Sequence, residues 1–176
     1  MEARQGARSE EDADRRRLED AAKLWLAHDG LWFQAVEQRF GMEAAIACDK
    51  AAWGRFSPLE ARRILARLGA QPGGGLDLLE RALGERLYSH LNRQSSDRPA
   101  PERLIFRMRS CRVQDARQRK GLPDFPCREV GIVEYRTFAE TIDRRIRTRC
   151  ISCPPDPRPE GAVCVWEFTL DEGAGR

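Results

Sequence analysis

The spacing of apolar residues changes character once along this chain, and that change limits the folds open to it. From Leu18 to Leu91 the apolar residues recur at intervals of three and four, the period of a helix face. Leu18, Ala21, Ala22 and Trp25 begin the pattern, and Leu79, Leu83, Leu87 and Leu91 close it as one stripe. After Pro101 the period drops to two. Leu104, Phe106 and Met108 alternate with Ile105, Arg107 and Arg109, and Cys164, Trp166, Phe168 and Leu170 share one side of a second alternating run. Helices followed by strands indicate an α+β fold, a helical segment packed on a small antiparallel sheet with short helices.

Local signals divide the segments. His28-Asp29-Gly30 reads as a break between two helices, Gly41 as a helix end, and Ser57-Pro58-x-Glu60 as the capped start of another helix. Gly73-Gly74-Gly75 is a further break, and the polar stretch 94–101 reads as a linker. Strands are expected at 103–110, 145–151 and 162–170, with a charged helix over 113–120 and another over 131–142. Residues 1–17 and 172–176 are expected to be disordered tails, flanking a helical segment at 18–95 and a cysteine-containing α+β segment at 101–171. The expected core includes Trp25, Trp32, Phe33, Trp53, Leu65, Leu79, Leu83, Phe106, Met108, Trp166 and Phe168.

A chain of 176 residues can bury a core without disulfide staples. No apolar run approaches the roughly 20 residues of a membrane helix, and the polar first residues lack the apolar centre of a signal peptide. A reducing cytoplasm is therefore the expected location, where clustered cysteines signal metal or redox chemistry more than disulfides. Five of the six cysteines, Cys111, Cys127, Cys150, Cys153 and Cys164, lie after residue 110. Cys150-Ile151-Ser152-Cys153 is a CxxC whose thiolates can converge on one ion where Pro154-Pro155 turns the chain. If strands 145–151 and 162–170 pair as a hairpin, Cys164 returns beside them. Cys127, in a proline-framed loop, supplies a fourth sulfur, the set of a closed structural zinc site. Cys111 is an alternate ligand or a neighbouring thiol. Burial of these cysteines as small inert hydrophobes, or redox chemistry, are the competing readings. Cys48 is assigned no function.

Thirteen basic and six acidic residues fall between Arg103 and Arg149. Strand alternation puts Arg107 and Arg109 on one face, and Arg147 and Arg149 on one face, a surface able to bind a small anionic or aromatic ligand. The competing reading is a solvated sheet face. A net charge of +3 and the lack of interleaved aromatics give no expectation of nucleic-acid binding. His28-Asp29 reads as a helix cap rather than a hydrolytic dyad, and Glu134 as a partner for an arginine or, if buried, an acid-base group. No catalytic residue is assigned.

Four stretches carry a resemblance: 108–114 (Met-Arg-Ser-Cys-Arg-Val-Gln), 120–127 (Lys-Gly-Leu-Pro-Asp-Phe-Pro-Cys), 150–156 (Cys-Ile-Ser-Cys-Pro-Pro-Asp) and 164–168 (Cys-Val-Trp-Glu-Phe). With 26–33 and 55–61 they resemble an uncharacterised prokaryotic domain family over about residues 20–171. More distantly, the pattern of Cys111, Cys127 and Cys164 resembles 4-vinyl reductase-like domains and the L-2-amino-thiazoline-4-carboxylic acid hydrolase family. That likeness implies an α+β fold, small-molecule binding and zinc at C-terminal cysteines. The full CxxC departs from it. The expectation is a zinc-containing small-molecule binding or sensor-type domain, with a hydrolase of a small heterocycle or amide as the alternative, using a metal-bound water or a cysteine nucleophile.

Overall fold

The computed structural model describes residues 2–171 and 173, with the backbone alone for residues 2–9. It is α+β: five α-helices and a four-stranded antiparallel sheet. Helix α1 (Glu2–Phe40) and helix α2 (Met42–Leu68) form a long hairpin, followed by α3 (Gly75–Gly84) and a 3-10 turn at Leu87–His90. Strands β1 (Gln94–Ala100) and β2 (Arg103–Met108) come next, then α4 (Arg112–Arg119), α5 (Arg128–Ile142), β3 (Ile146–Ser152) and β4 (Cys164–Leu170). The strand order is β1-β2-β4-β3.

Four expectations need correction. First, α1 runs straight through residues 2–17 and through His28-Asp29-Gly30. The charged stretch is compatible with a helix, carrying Arg15–Asp12 and Arg17–Asp14 ion pairs one turn apart. One internal glycine costs a helix only about 1 kcal/mol, which the packing of Ala22 and Leu26 outweighs. Second, α2 continues across Ser57-Pro58 instead of restarting there. The buried face of Trp53, Ala61, Ile64 and Leu65 spans the proline, so tertiary burial overrides the local break. Third, the supposed linker is the edge strand β1. Its register slips between Asp97 and Ala100, next to Pro99, as an edge strand tolerates. Fourth, Trp32 is 68% exposed on α1, outside the core.

The remaining elements follow the hydrophobic pattern. Gly41, at φ 87°, separates α1 from α2, and Gly69, at φ 62°, ends α2 in the left-handed conformation that glycine adopts without strain. Leu104, Phe106 and Met108 of β2 join Trp166 and Phe168 of β4 on the inner face of the sheet. Helix α5 fills the space between that face and α2, contributing Tyr135, Phe138, Ala139 and Ile142. It approaches closely: a Cβ at Gly131 would stand 2.7 Å from the Trp166 ring. A smaller aromatic cluster around Trp53, Phe125 and Val130 joins the helical hairpin to the N-terminal end of α5. The inner end of the sheet, the loops before α4 and α5, and the helical hairpin thus enclose one region.

Candidate functional site

The expected hairpin of β3 and β4 forms, with Cys150 opposite Trp166 and Ser152 opposite Val165. The register slips by one residue between these pairs. In a regular strand Cys150 and Cys153 would face opposite sides. The slip and the following turn bring Cys153 to the inner side, where it is only 1% exposed. Cys164 starts β4 opposite Met108, Cys127 sits at the start of α5, and Cys111 at the start of α4. Cys127 Sγ lies 3.0 Å from Cys153 Sγ, and Cys150 and Cys164 also contact Cys153. Crowding by these sulfurs and burial push the Cys153 thiol up. The Cys150 thiol is pulled down by its hydrogen bond with Cys153 and by the charge of Arg128, against its burial. Burial raises Cys111 to about 12; Cys164 and Cys127 add to it.

The loop carrying Cys127 is clamped by one side chain. Gln114 Oε1 accepts from Phe125 N–H at 2.9 Å, while its Nε2 donates to Phe125 O at 2.8 Å and approaches Cys127 Sγ at 3.7 Å. Trp166 Nε1 donates to Cys164 Sγ at 3.3 Å. These sulfurs are therefore held by strand pairing, a helix start and a glutamine clamp. Tetrahedral zinc with bonds of about 2.3 Å would need its sulfurs about 3.8 Å apart. The 3.0 Å contact is tighter, and among the described residues no group of three or more His, Cys, Asp or Glu is arranged as a metal shell. The donor chemistry suits zinc; the spacing would have to open.

A cavity of about 380 Å³ abuts the cluster. Cys111, Cys127, Cys153 and Cys164 line one wall, and α1 and α2 line the facing one through Asp29, Phe33, Asp49 and Trp53. Its surroundings hold a buried charge network. Arg86, 2% exposed, pairs with Glu60 at 2.9 Å and with Glu134 at 2.7 Å. Its guanidinium also lies over the rings of Phe138 (4.8 Å), Tyr88 (5.3 Å) and Tyr135 (5.6 Å). Burial opposes the Arg86 charge, but Glu134 and Glu60 overcome it and hold the guanidinium ionised. Burial pushes Glu134 up, and Arg86 pulls it back. Asp29 and Asp49 make no hydrogen bond or ion pair with a cationic side chain among the described residues. Burial raises Asp29, against the pull of His28. Asp49 rises to about 7, through burial first and then the charges of Asp29 and Glu134, with Trp53 opposing.

A family model matches residues 8–170. The chain belongs to a family of unknown function (DUF6125). No curated protein and no solved structure matches it. The match agrees with the expected uncharacterised family and gives no support to the likeness to 4-vinyl reductase-like or amino-thiazoline hydrolase domains. No helix among the described residues is long and apolar enough to cross a membrane.

In this DUF6125 chain the five expected cysteines meet, while Cys48 is exposed on α2. The expected arginines lie elsewhere. Arg107, Arg147 and Arg149 are on the outer face of the sheet, away from the cavity, and Arg109 at its edge. Each is engaged: Arg107 by Asp97, Arg147 by Asp171 at 3.3 Å, Arg149 by Glu167 at 2.8 Å, and Arg109 by Ser95 and the Gly161 carbonyl. Sequence reasoning singled out Asp29 and Glu134 but missed Asp49 and Arg86. Asp49 stands four residues before Trp53, on the same face of α2, and that spacing is the signal that places it inward once α2 is read as unbroken.

Proposed function

We propose that the chain is a small-molecule binding module of the sensor type, with a zinc ion held by Cys127, Cys150, Cys153 and Cys164 at the wall of its cavity. The observation that carries this reading is the meeting of cysteines from four separate stretches of chain beside one largely apolar cavity that also presents six aromatic rings. Inert packing does not require four sulfurs from the starts of a helix and a strand, and from a strand and its turn, to share one point. Zinc would tie α5 to the β3–β4 hairpin and fix the wall against which a ligand rests. Cys111 stands beside the cluster as a neighbouring thiol.

Elemental analysis of freshly purified protein tests the metal, paired with thiol titration before and after chelation. About one zinc per chain, absent from Cys153→Ser and retained in Cys48→Ser, is the expected result. Metal should also leave at acid pH, as the ligating sulfurs protonate. A metal-free, well-folded protein with freely reactive clustered thiols would overturn the zinc.

One observation favours a second reading, a hydrolase of a small heterocycle or amide. Asp49 on the cavity wall, raised to about 7, has the proton affinity a general acid or base needs. The Cys111 thiol, raised to about 12, is shifted the wrong way for a nucleophile. Turnover of a small amide abolished in Asp49→Asn would support the enzyme.

A further inference from the structure

Two carboxylates on the cavity wall, Asp29 and Asp49, have no cationic partner by hydrogen bond or ion pair among the described residues. Asp29 from α1, Asp49 from α2 and Glu134 from α5 line the cavity, with Glu60 behind; of the two buried guanidiniums nearby, Arg117 pairs with Glu37 at 2.7 Å and Arg86 serves Glu60 and Glu134. Glu60 and Glu134 take both of its ion pairs. Asp29 and Asp49 are left half-buried on the wall, close enough for the charge of one to disfavour that of the other. The cations lining the rim, Lys23, Arg112, Arg119 and Lys120, are exposed to solvent, and Lys120 is engaged by Gln34. Water screens such charges, so they do little for carboxylates inside.

A second observation points to a ligand. Tyr135 lines the same cavity and is 5% exposed, and among the described residues no hydrogen bond reaches its hydroxyl. A buried tyrosine hydroxyl normally finds a partner. Its ring packs on Trp166, with centroids 4.6 Å apart, and its side chain lines the cavity. Trp53 and Tyr88, stacked at 5.9 Å, line the same cavity.

We infer that the cavity binds a small organic cation, an ammonium on an aromatic or aliphatic body. Asp29 and Asp49 hold the charge, the Tyr135 hydroxyl accepts a hydrogen bond, and the rings of Trp53 and Tyr88 cover the body. The inference rests on reading the cavity as a binding site and adds the ligand class. An ammonium supplies the counter-charge that the partly desolvated Asp29 and Asp49 lack. It also gains from the facing aromatic rings. A carboxylate or phosphate placed beside Asp29 and Asp49 would add like charge there and is disfavoured at that end of the cavity.

Three probes of one shape separate the possibilities: phenethylammonium, phenethyl alcohol and hydrocinnamate. Each is titrated by calorimetry into the full chain at about pH 8, where Asp49 is ionised. The ammonium is expected to bind at least about tenfold tighter than the alcohol, and the carboxylate weakest. Asp29→Asn and Asp49→Asn, which relieve buried charge and so keep the fold, should each weaken the ammonium about tenfold and leave the alcohol unchanged. Tyr135→Phe should weaken the ammonium by a smaller factor. Equal binding of ammonium and alcohol, or a preference for hydrocinnamate, overturns the cationic ligand while leaving a binding cavity. No binding of any probe up to about 10 mM overturns both the ligand class and the binding module.

Discussion

The two faces of the sheet carry charge in opposite ways. On the outer face, Arg103 and Arg149 flank Glu167, Arg107 meets Asp97 and Arg147 meets Asp171, so each arginine answers a carboxylate on a neighbouring strand or at its end. This is cross-strand pairing in water, and it explains the excess of arginine without a ligand. On the inner side the sheet meets thiols, aromatic rings and carboxylates that lack their own counter-charges. Compensated, hydrated charge keeps a surface soluble and adds little to stability. Uncompensated, dry charge costs stability and persists where binding or catalysis uses it. The contrast reverses the expectation that the arginine face is the ligand surface.

The largest expected effect lies at Arg86, a buried cation shared by two buried carboxylates. Arg86→Met keeps most of the volume but leaves Glu60 and Glu134 facing each other without a counter-ion, and removes the cation from the rings of Phe138 and Tyr88. Breaking a buried pair on one side typically costs about 3–5 kcal/mol. Urea unfolding near neutral pH should show that loss. The triple variant with Glu60→Gln and Glu134→Gln should regain much of it, since no buried charge then remains unpaired. A loss below about 1 kcal/mol would mean that the network is wetter than its burial implies.

A smaller effect of opposite sign is expected at Asp49. Its carboxyl holds its proton more tightly folded than unfolded, with the pKa rising from 3.8 to about 7. Stability is therefore fullest below about pH 4 as far as this group is concerned, and is lost as pH rises through about 7. Asp49→Asn removes that loss. Allowing for solvent at a half-buried group, the variant should be more stable than the parent by about 1–2 kcal/mol at pH 8 and equal to it near pH 4. Thermal unfolding at the two pH values measures both. A variant destabilised equally at both would show that Asp49 is held as a carboxylate by partners and is not a strained charge.

How much of this was legible in the sequence follows from the same contrast. Alternation of Leu104, Phe106 and Met108, and of Trp166 and Phe168, revealed the strands because a half-buried strand writes its two faces into the sequence. The edge strand β1 wrote no such pattern, since its residues are polar on both faces. Gly30 and Pro58 read as breaks because propensity is local, whereas the unbroken helices are set by burial of Leu26 and Ile64 across the fold. The cysteines were legible through a CxxC and a hairpin return. Asp49 and Arg86 were not, because a charged residue in a helix looks the same facing water or facing a cavity until its neighbours are known. Cys153 needed both kinds of information: the motif named it, but the slip between Cys150 and Ser152 turned it inward.

The outer face supplies the control for all of this and the smallest prediction. Arg147 and Asp171 are each about half exposed and pair at 3.3 Å. Bringing two flexible side chains together costs entropy, and water with salt screens what they gain. Arg147→Gln should therefore shift unfolding free energy by no more than about 0.5 kcal/mol, and the shift should vanish at about 1 M salt. The Arg86→Met effect should survive the same salt, because the surrounding rings exclude the ions that would screen it. The ratio of the two effects in low and high salt measures how differently the protein treats charge on its two sides. If Arg147→Gln proved as damaging as Arg86→Met, the outer arginines would form a cooperative network rather than separate pairs. The outer face would then regain its claim as a functional surface.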